Sequence, residues 1–173
     1  MEITVEIIKS LRENTGAGIM DCKKALLETH GDCDQATEIL RKKGLVKVQK
    51  KAERVARQGI IEQYVHGGGR IGAMVEINCE TDFVARTDEF KDLAHNVAMQ
   101  IVAMNPVYIT AEDIPQGNDE EPAQVCLLHQ PYIRDPQTTI KDLINTLIAK
   151  VGENIQIKRF VRYELGCWED DKI

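Results

Sequence analysis

Long apolar runs are missing from this 173-residue chain. Nothing approaches the ~18 consecutive apolar residues that a membrane span requires. The start, Met1-Glu2-Ile3-Thr4, lacks the basic and then apolar layout of a secretory signal, so a cytoplasmic protein is expected. Cys22, Cys33, Cys79, Cys126 and Cys167 are odd in number, widely spaced and free of any Cys-x-x-Cys pair, which argues against a disulfide framework and against a zinc site. Most of them are expected as small buried residues; Cys167, between Gly166 and Trp168 near a charged end, is the one placed to pair across a dimer interface. His30, His66, His95 and His129 stand apart and none falls in a metal-ligand motif, so neither a metal centre nor a catalytic triad is indicated.

Aromatic residues are also scarce, at 5%, and their scarcity bears on the charge pattern. Residues 1–57 carry 12 Lys and Arg against 9 Asp and Glu, whereas residues 58–173 carry 10 against 19. The basic excess gathers in Arg41, Lys42, Lys43, Lys47, Lys50, Lys51, Arg54 and Arg57, a distribution that raises nucleic acid as a partner. No aromatic is interleaved there to stack on bases, and the acidic remainder repels a polyanion, so a solvated helix or linker is the reading. With 43% hydrophobic and 29% charged residues, the composition is that of a soluble globular chain, long enough for one core or for a small module joined to a larger domain.

Helical spacing dominates the first 45 residues. Ile3, Ile7, Ile8 and Leu11 mark one face, closed by Thr15-Gly16; Met20, Cys22, Ala25 and Leu26 mark a second helix, closed by Gly31. Asp32 caps a third, with Ala36, Ile39 and Leu40 inward and Gly44 as its stop. Three short helices over residues 1–45 are marginal alone. Residues 46–57 read as a basic linker, 58–166 as the main domain and 167–173 as a tail.

From Gly59 the period becomes that of strands. Residues 59–66 and 71–78 flank Gly67-Gly68-Gly69-Arg70 and predict a hairpin. The triple glycine is no phosphate cradle, because no Gly-Lys-Ser/Thr follows and no helix opens from it. Thr87 caps a helix with a full apolar stripe, Phe90, Leu93, Ala94, Val97, Ala98, Ile101 and Val102, stopped by Asn105-Pro106. Residues 116–122 read as a surface loop before a short apolar segment around Val125, Leu127 and Leu128. Thr139 opens the last helix, with Ile140, Leu143, Ile144, Leu147, Ile148 and Val151 inward and Gly152 as its stop. Residues 154–165 alternate as a third strand, placing Ile155, Ile157, Val161 and Tyr163 on one side. The expected fold class is α+β: a three-helix module, then about three antiparallel strands covered by helices.

The segment Glu76-Ile77-Asn78-Cys79-Glu80-Thr81-Asp82-Phe83-Val84-Ala85-Arg86 is the most informative one. A strand-like run breaks into a polar segment that carries Asp82 beside Phe83, just before a helix start. Two readings are open: Phe83 seals its own core, as most phenylalanines do, or it stands on the junction and enters another protein's pocket. Glu80 and Asp82 could form a carboxylate pair for acid-base work, but no substrate pocket accompanies them.

The run Leu11-Arg12-Glu13-Asn14-Thr15-Gly16-Ala17-Gly18-Ile19-Met20-Asp21-Cys22-Lys23-Lys24-Ala25-Leu26 resembles the N-terminal signature of elongation factor Ts, and residues 76–86 resemble its second signature. Gln130-Pro131-Tyr132-Ile133 and Arg159-Phe160-Val161-Arg162-Tyr163-Glu164 are similar to the same family. The resemblance implies guanine nucleotide exchange on elongation factor Tu, without covalent chemistry, cofactor or metal of its own. It implies that Thr81, Asp82, Phe83 and Val84 act beside the partner's magnesium site and that Leu11, Arg12, Ile19 and Met20 contact the partner elsewhere. His66, in the Tyr-x-His-Gly-Gly hairpin, is either a further contact or a plain turn-flanking residue. The chain looks like the short form of the family, with one core half and no coiled-coil insertion, which implies a homodimer and a two-to-two complex. Two rival classes are a peptide-binding adaptor, since the three-helix module is similar to ubiquitin-associated domains, and a ribosome or RNA binder. Co-purification with a GTPase without GDP, or a steep salt dependence for RNA, separates them.

Overall fold

The computed structural model describes residues 3–167. The tail beyond, including Trp168, lies outside the described residues. The chain divides into two compact units, one made of residues up to 54 with 145–154 and one of residues 55–144 with 155 onward.

In the first unit, α1 (Val5–Thr15), α2 (Ile19–Glu28) and α3 (Cys33–Gln49) pack on one another. Thr4 caps α1 by accepting from the Ile7 N–H (3.4 Å), and Asp32 caps α3 by accepting from that of Gln35 (2.9 Å). Gly16 closes α1 in the left-handed conformation, φ 65°, which glycine adopts without a Cβ clash. Leu11, Cys22, Ala25, Leu26, Ala36 and Leu40 form the core, with Ile7, Ile8 and Ile39 packed against it. Met20 departs from the expected apolar face. It is 62% exposed, because a step of 100° per residue turns it away from the face that Cys22, Ala25 and Leu26 share.

Gly44 does not end α3, which runs five residues further. A lone glycine inside a helix costs only about 1 kcal/mol, and no proline enforces a stop, the first of the chain being Pro106. The segment after α3 is secured instead by Asn154, whose buried amide donates to the carbonyls of Ala52 (3.2 Å) and Arg54 (2.7 Å).

The second unit is built on an antiparallel sheet of order β1-β2-β5, formed by β1 (Gln58–His66), β2 (Ile71–Cys79) and β5 (Ile155–Glu164). β1 and β2 pair without interruption from Gln58 opposite Cys79 to His66 opposite Ile71. The inward set of β2, Ala73, Val75, Ile77 and Cys79, is buried beneath α5 (Asp88–Met104), which packs across β1 and β2. A short helix, α4 (Asp82–Ala85), joins β2 to α5.

β5 departs from simple alternation. Its register against β2 slips between Glu76 and Ile77, leaving Lys158 unpaired, and one extra residue inverts the phase of everything after it. Ile155 and Ile157 face inward as expected, but Val161 and Tyr163 face outward, 38% and 73% exposed. Phe160 and Arg162 take the inward positions. Arg162 uses its place to donate from Nε to the Val102 carbonyl (3.3 Å) in the last turn of α5.

Between α5 and β5 the chain forms α6 (Pro122–Val125), a two-stranded ribbon of β3 (Pro131–Tyr132) and β4 (Asp135–Thr139), and α7 (Ile140–Val151), whose first turn belongs to the second unit and the rest to the first. The ribbon was not expected from the pattern. Two fully buried amides tie it to α5: Gln100 donates to the Gln130 side chain (3.3 Å) and the Pro131 carbonyl (3.0 Å) and accepts from the Ile133 N–H (3.0 Å). Gln130 in turn donates to the carbonyls of Gln124 (2.8 Å) and Met104 (3.3 Å).

Candidate functional site

The end of β2 and the start of α5 fix the geometry of the junction between them. Cys79, fully buried, donates its thiol to the Thr81 carbonyl (3.1 Å), and Thr81 caps α4 by accepting from the Val84 N–H at 3.4 Å. On the other side the Thr87 hydroxyl donates to the Val84 carbonyl (2.8 Å) and accepts from the Phe90 N–H (3.3 Å), closing α4 and opening α5 with one side chain. α4 is therefore a single turn pinned at both ends.

Which way Phe83 points follows from that turn. Val84 and Ala85 are buried, at 9% and 6% exposure, and set the inward direction. At 100° per residue, Phe83 lies about 150° from the mean direction of those two. The residue is 78% exposed. Burying a phenylalanine stabilises a fold by roughly 1.5–3 kcal/mol, a gain that this fold forgoes at Phe83. Asp82, beside it, pairs with Arg86 one turn on (2.9 Å), the Arg86 side chain largely in solvent and that of Asp82 half-buried. Such an exposed pair contributes only about 0.3–0.5 kcal/mol, so it orients the carboxylate rather than holding the fold. Of the four residues expected to act here, Asp82 and Phe83 are presented, Thr81 caps the turn and Val84 anchors it from below.

In the three-helix unit, Ile19 and Met20 open α2 as an exposed apolar pair, 54% and 62%, and Arg12 of α1 is exposed as well. Leu11, expected on the same contact surface, is 2% exposed and belongs to the core. Period separates Leu11, which follows Ile7 and Ile8 at the spacing of the packed face, from Met20, which stands off the Cys22 face; Ile19, three residues before Cys22, shares that face by period and is exposed as the first residue of α2.

His66 ends β1 immediately before Gly67, Gly68 and Gly69, which take φ values of 61°, 67° and 91° that turn the hairpin. The nine residues of β1 extend about 26 Å, so His66 stands near one end of the hairpin while Gln58, paired with Cys79, marks the end from which α4 departs. Tyr64 touches His66 along β1, and two further residues, His95 and Glu62, join through contacts that cross from strand to helix and so escaped sequence reasoning. The Tyr64 hydroxyl lies 3.1 Å from His66 Nδ1, the Tyr64 ring meets His95 of α5 edge-on at 5.5 Å between centroids, and His95 Nδ1 lies 3.1 Å from Glu62 Oε1. Among the described residues, no group of three or more His, Cys, Asp or Glu side chains is placed to hold a metal ion, and no helix is long and apolar enough to cross a membrane.

Residues 33–125 match the family described as Elongation factor TS. The Elongation factor Ts of Carboxydothermus hydrogenoformans is 52% identical over 194 aligned positions, which cover 95% of this chain and 89% of the relative. That of Thermotoga petrophila is 51% identical over 199 positions, covering 99% and 100%, and that of Thermoanaerobacter sp. is 50% identical with 95% of each chain covered. The alignments are longer than the 173-residue chain, so these relatives carry residues that have no counterpart here. A family match over more than half the sequence, together with half-identical relatives along nearly all of it, shows that the chain belongs to the elongation factor Ts family of translation factors.

Proposed function

We propose that the chain is a guanine nucleotide exchange factor for elongation factor Tu, in the cytoplasm, and that Asp82 and Phe83 promote GDP release by entering beside the partner's magnesium and nucleotide site. The observation that carries this reading is the exposed Phe83 ring on a turn pinned by Thr81 and Thr87. A backbone turn already pinned loses little freedom on docking, so the burial of the ring it carries is available for work on the partner. No bond is made or broken. Exchange follows from linkage: a factor that binds the nucleotide-free GTPase more tightly than the GDP form weakens GDP binding by the same ratio. Magnesium bridges phosphate oxygens and protein groups, so a ring and a carboxylate that disturb its ligands remove much of the nucleotide's hold.

Arg12, Ile19 and Met20 supply a separate contact through the three-helix unit, and His66 a further one. The chain acts as a homodimer in a two-to-two complex with the GTPase. The outward sheet face supports the pairing: Ile61, Val65, Met74, Val161 and Tyr163 are all exposed on strands whose other face is the core, and a second copy would cover them. Sedimentation should give twice the 19.5 kDa chain mass at micromolar concentration, and a strict monomer contradicts the dimer. For the exchange reading, the chain mixed with nucleotide-free elongation factor Tu should co-elute in gel filtration and separate when GDP is added. A complex indifferent to GDP favours an adaptor instead.

A further inference from the structure

Glu62, Tyr64 and His66 occupy alternate positions of β1 and therefore share one face of the hairpin arm. His95 reaches that face from α5. Glu62 as a carboxylate can only accept, so His95 donates its Nδ1–H across the 3.1 Å contact and its ring orientation is set. His95 stands at 90° to the Tyr64 ring, the edge-to-face arrangement that aromatic quadrupoles favour, and Tyr64 stacks on His66 at 6.0 Å and 27°. The series ends in the 3.1 Å hydrogen bond between the Tyr64 hydroxyl and His66 Nδ1.

That bond can be made in two ways. Either the phenol donates to a bare Nδ1, or a protonated Nδ1 donates to the phenol oxygen. A phenol is the more acidic of the two groups and a neutral imidazole nitrogen the more basic, so the first arrangement is favoured at neutral pH. With Nδ1 occupied as an acceptor, the ring proton sits on Nε2. Glu62 and Tyr64 are half-buried on the sheet face that α5 covers, but the His66 end of the series does not serve the core, because His66 is exposed and the glycines after it carry no side chains to cover it.

We propose that Glu62, His95 and Tyr64 are positioning residues that lock His66 in its Nε2–H tautomer, so that the chain offers a preset hydrogen-bond donor to a carbonyl or carboxylate oxygen on elongation factor Tu. The inference rests on the exchange reading above and gives its hairpin contact a chemistry. Locking removes the choice between tautomers and between ring orientations before the partner arrives, and a donor so arranged docks with a smaller entropic loss.

The test has one arm without the partner. In the free chain with nitrogen-15 histidine, at a pH where the ring is neutral, two-bond correlations should show His66 as the Nε2–H form, and Tyr64→Phe, which keeps the ring and removes only the hydroxyl, should turn it into a mixture of tautomers. In GDP release from elongation factor Tu at subsaturating chain, Tyr64→Phe and His66→Ala should each slow the reaction about threefold to tenfold, the worth of one hydrogen bond. The double variant should be no slower than His66→Ala, since the tyrosine acts through the histidine. An Nδ1–H form in the unmodified chain, or a tautomer unmoved by Tyr64→Phe, overturns the lock. Effects that multiply in the double variant overturn the positioning role. A His66→Ala chain that exchanges at the full rate overturns the donor role, and an unmodified chain that never accelerates release removes the exchange reading while the tautomer arm still decides the lock.

Discussion

Replacing Phe83 with alanine isolates the proposed wedge more cleanly than any other single change. The residue is 78% exposed, so removal of its ring leaves no cavity and the stability of the free chain should change by no more than about 0.5 kcal/mol. The cost falls on the complex. Full burial of a phenylalanine is worth roughly 1.5–3 kcal/mol, and nearly four-fifths of that surface is still in water before docking. The coupling lost is therefore about 1.2–2.3 kcal/mol, roughly sevenfold to fiftyfold in rate. Stopped-flow release of a fluorescent GDP from elongation factor Tu, with the chain well below saturation, should slow on the order of tenfold for Phe83→Ala, with circular dichroism melting superimposed on that of the unmodified chain. A folded variant with an unchanged release rate removes Phe83 from the mechanism. Arg86→Ala is the internal control: it breaks an exposed pair worth only a few tenths of a kcal/mol in the free chain, so its melting should be unchanged.

Three further outcomes probe the rest of the structure. Gln100→Leu strips partners from the Pro131 carbonyl and the Ile133 N–H inside the fold and should destabilise the second unit by about 1–3 kcal/mol in urea unfolding; a neutral effect contradicts the buried amide network. Leu11→Ala should cost the three-helix unit about 2–5 kcal/mol, whereas Met20→Ala should leave its melting unchanged and weaken binding to nucleotide-free elongation factor Tu; the reverse pattern contradicts the division between core and contact. Native thiol labelling at neutral pH should modify the exposed Cys33 and Cys167 and spare Cys22, Cys79 and Cys126 until the chain unfolds. Cys126 should be the slowest, because burial first, and then the carboxylates of Asp113, Glu112 and Glu120, push its thiol up and leave little thiolate to react.

Period and punctuation made most of the architecture legible. The stripe from Phe90 to Val102, the capping threonines at 87 and 139 and the glycine turn of the hairpin all act within a few residues of themselves, and each element formed where its spacing pointed. What escaped was decided across the chain. The slip in β5 depends on how Ile77 and Glu76 pair with a strand eighty residues away, and no alternation within residues 155–164 can announce it. α3 passes through Gly44 because a single weak helix former yields to its neighbours, and Gln100 looked like one polar gap in an apolar stripe although it binds the ribbon. Phe83 was legible as a choice between inside and outside. The choice was made by the two threonines that pin α4, whose hydrogen bonds turn Val84 and Ala85 inward and leave the ring no inward direction to take.

The most direct measurement is the rate at which GDP leaves elongation factor Tu when the unmodified chain is added in substoichiometric amounts. Acceleration proportional to the concentration of the chain, with each copy discharging many molecules of the GTPase, is the predicted result. A release rate identical with and without the chain contradicts the account at its centre.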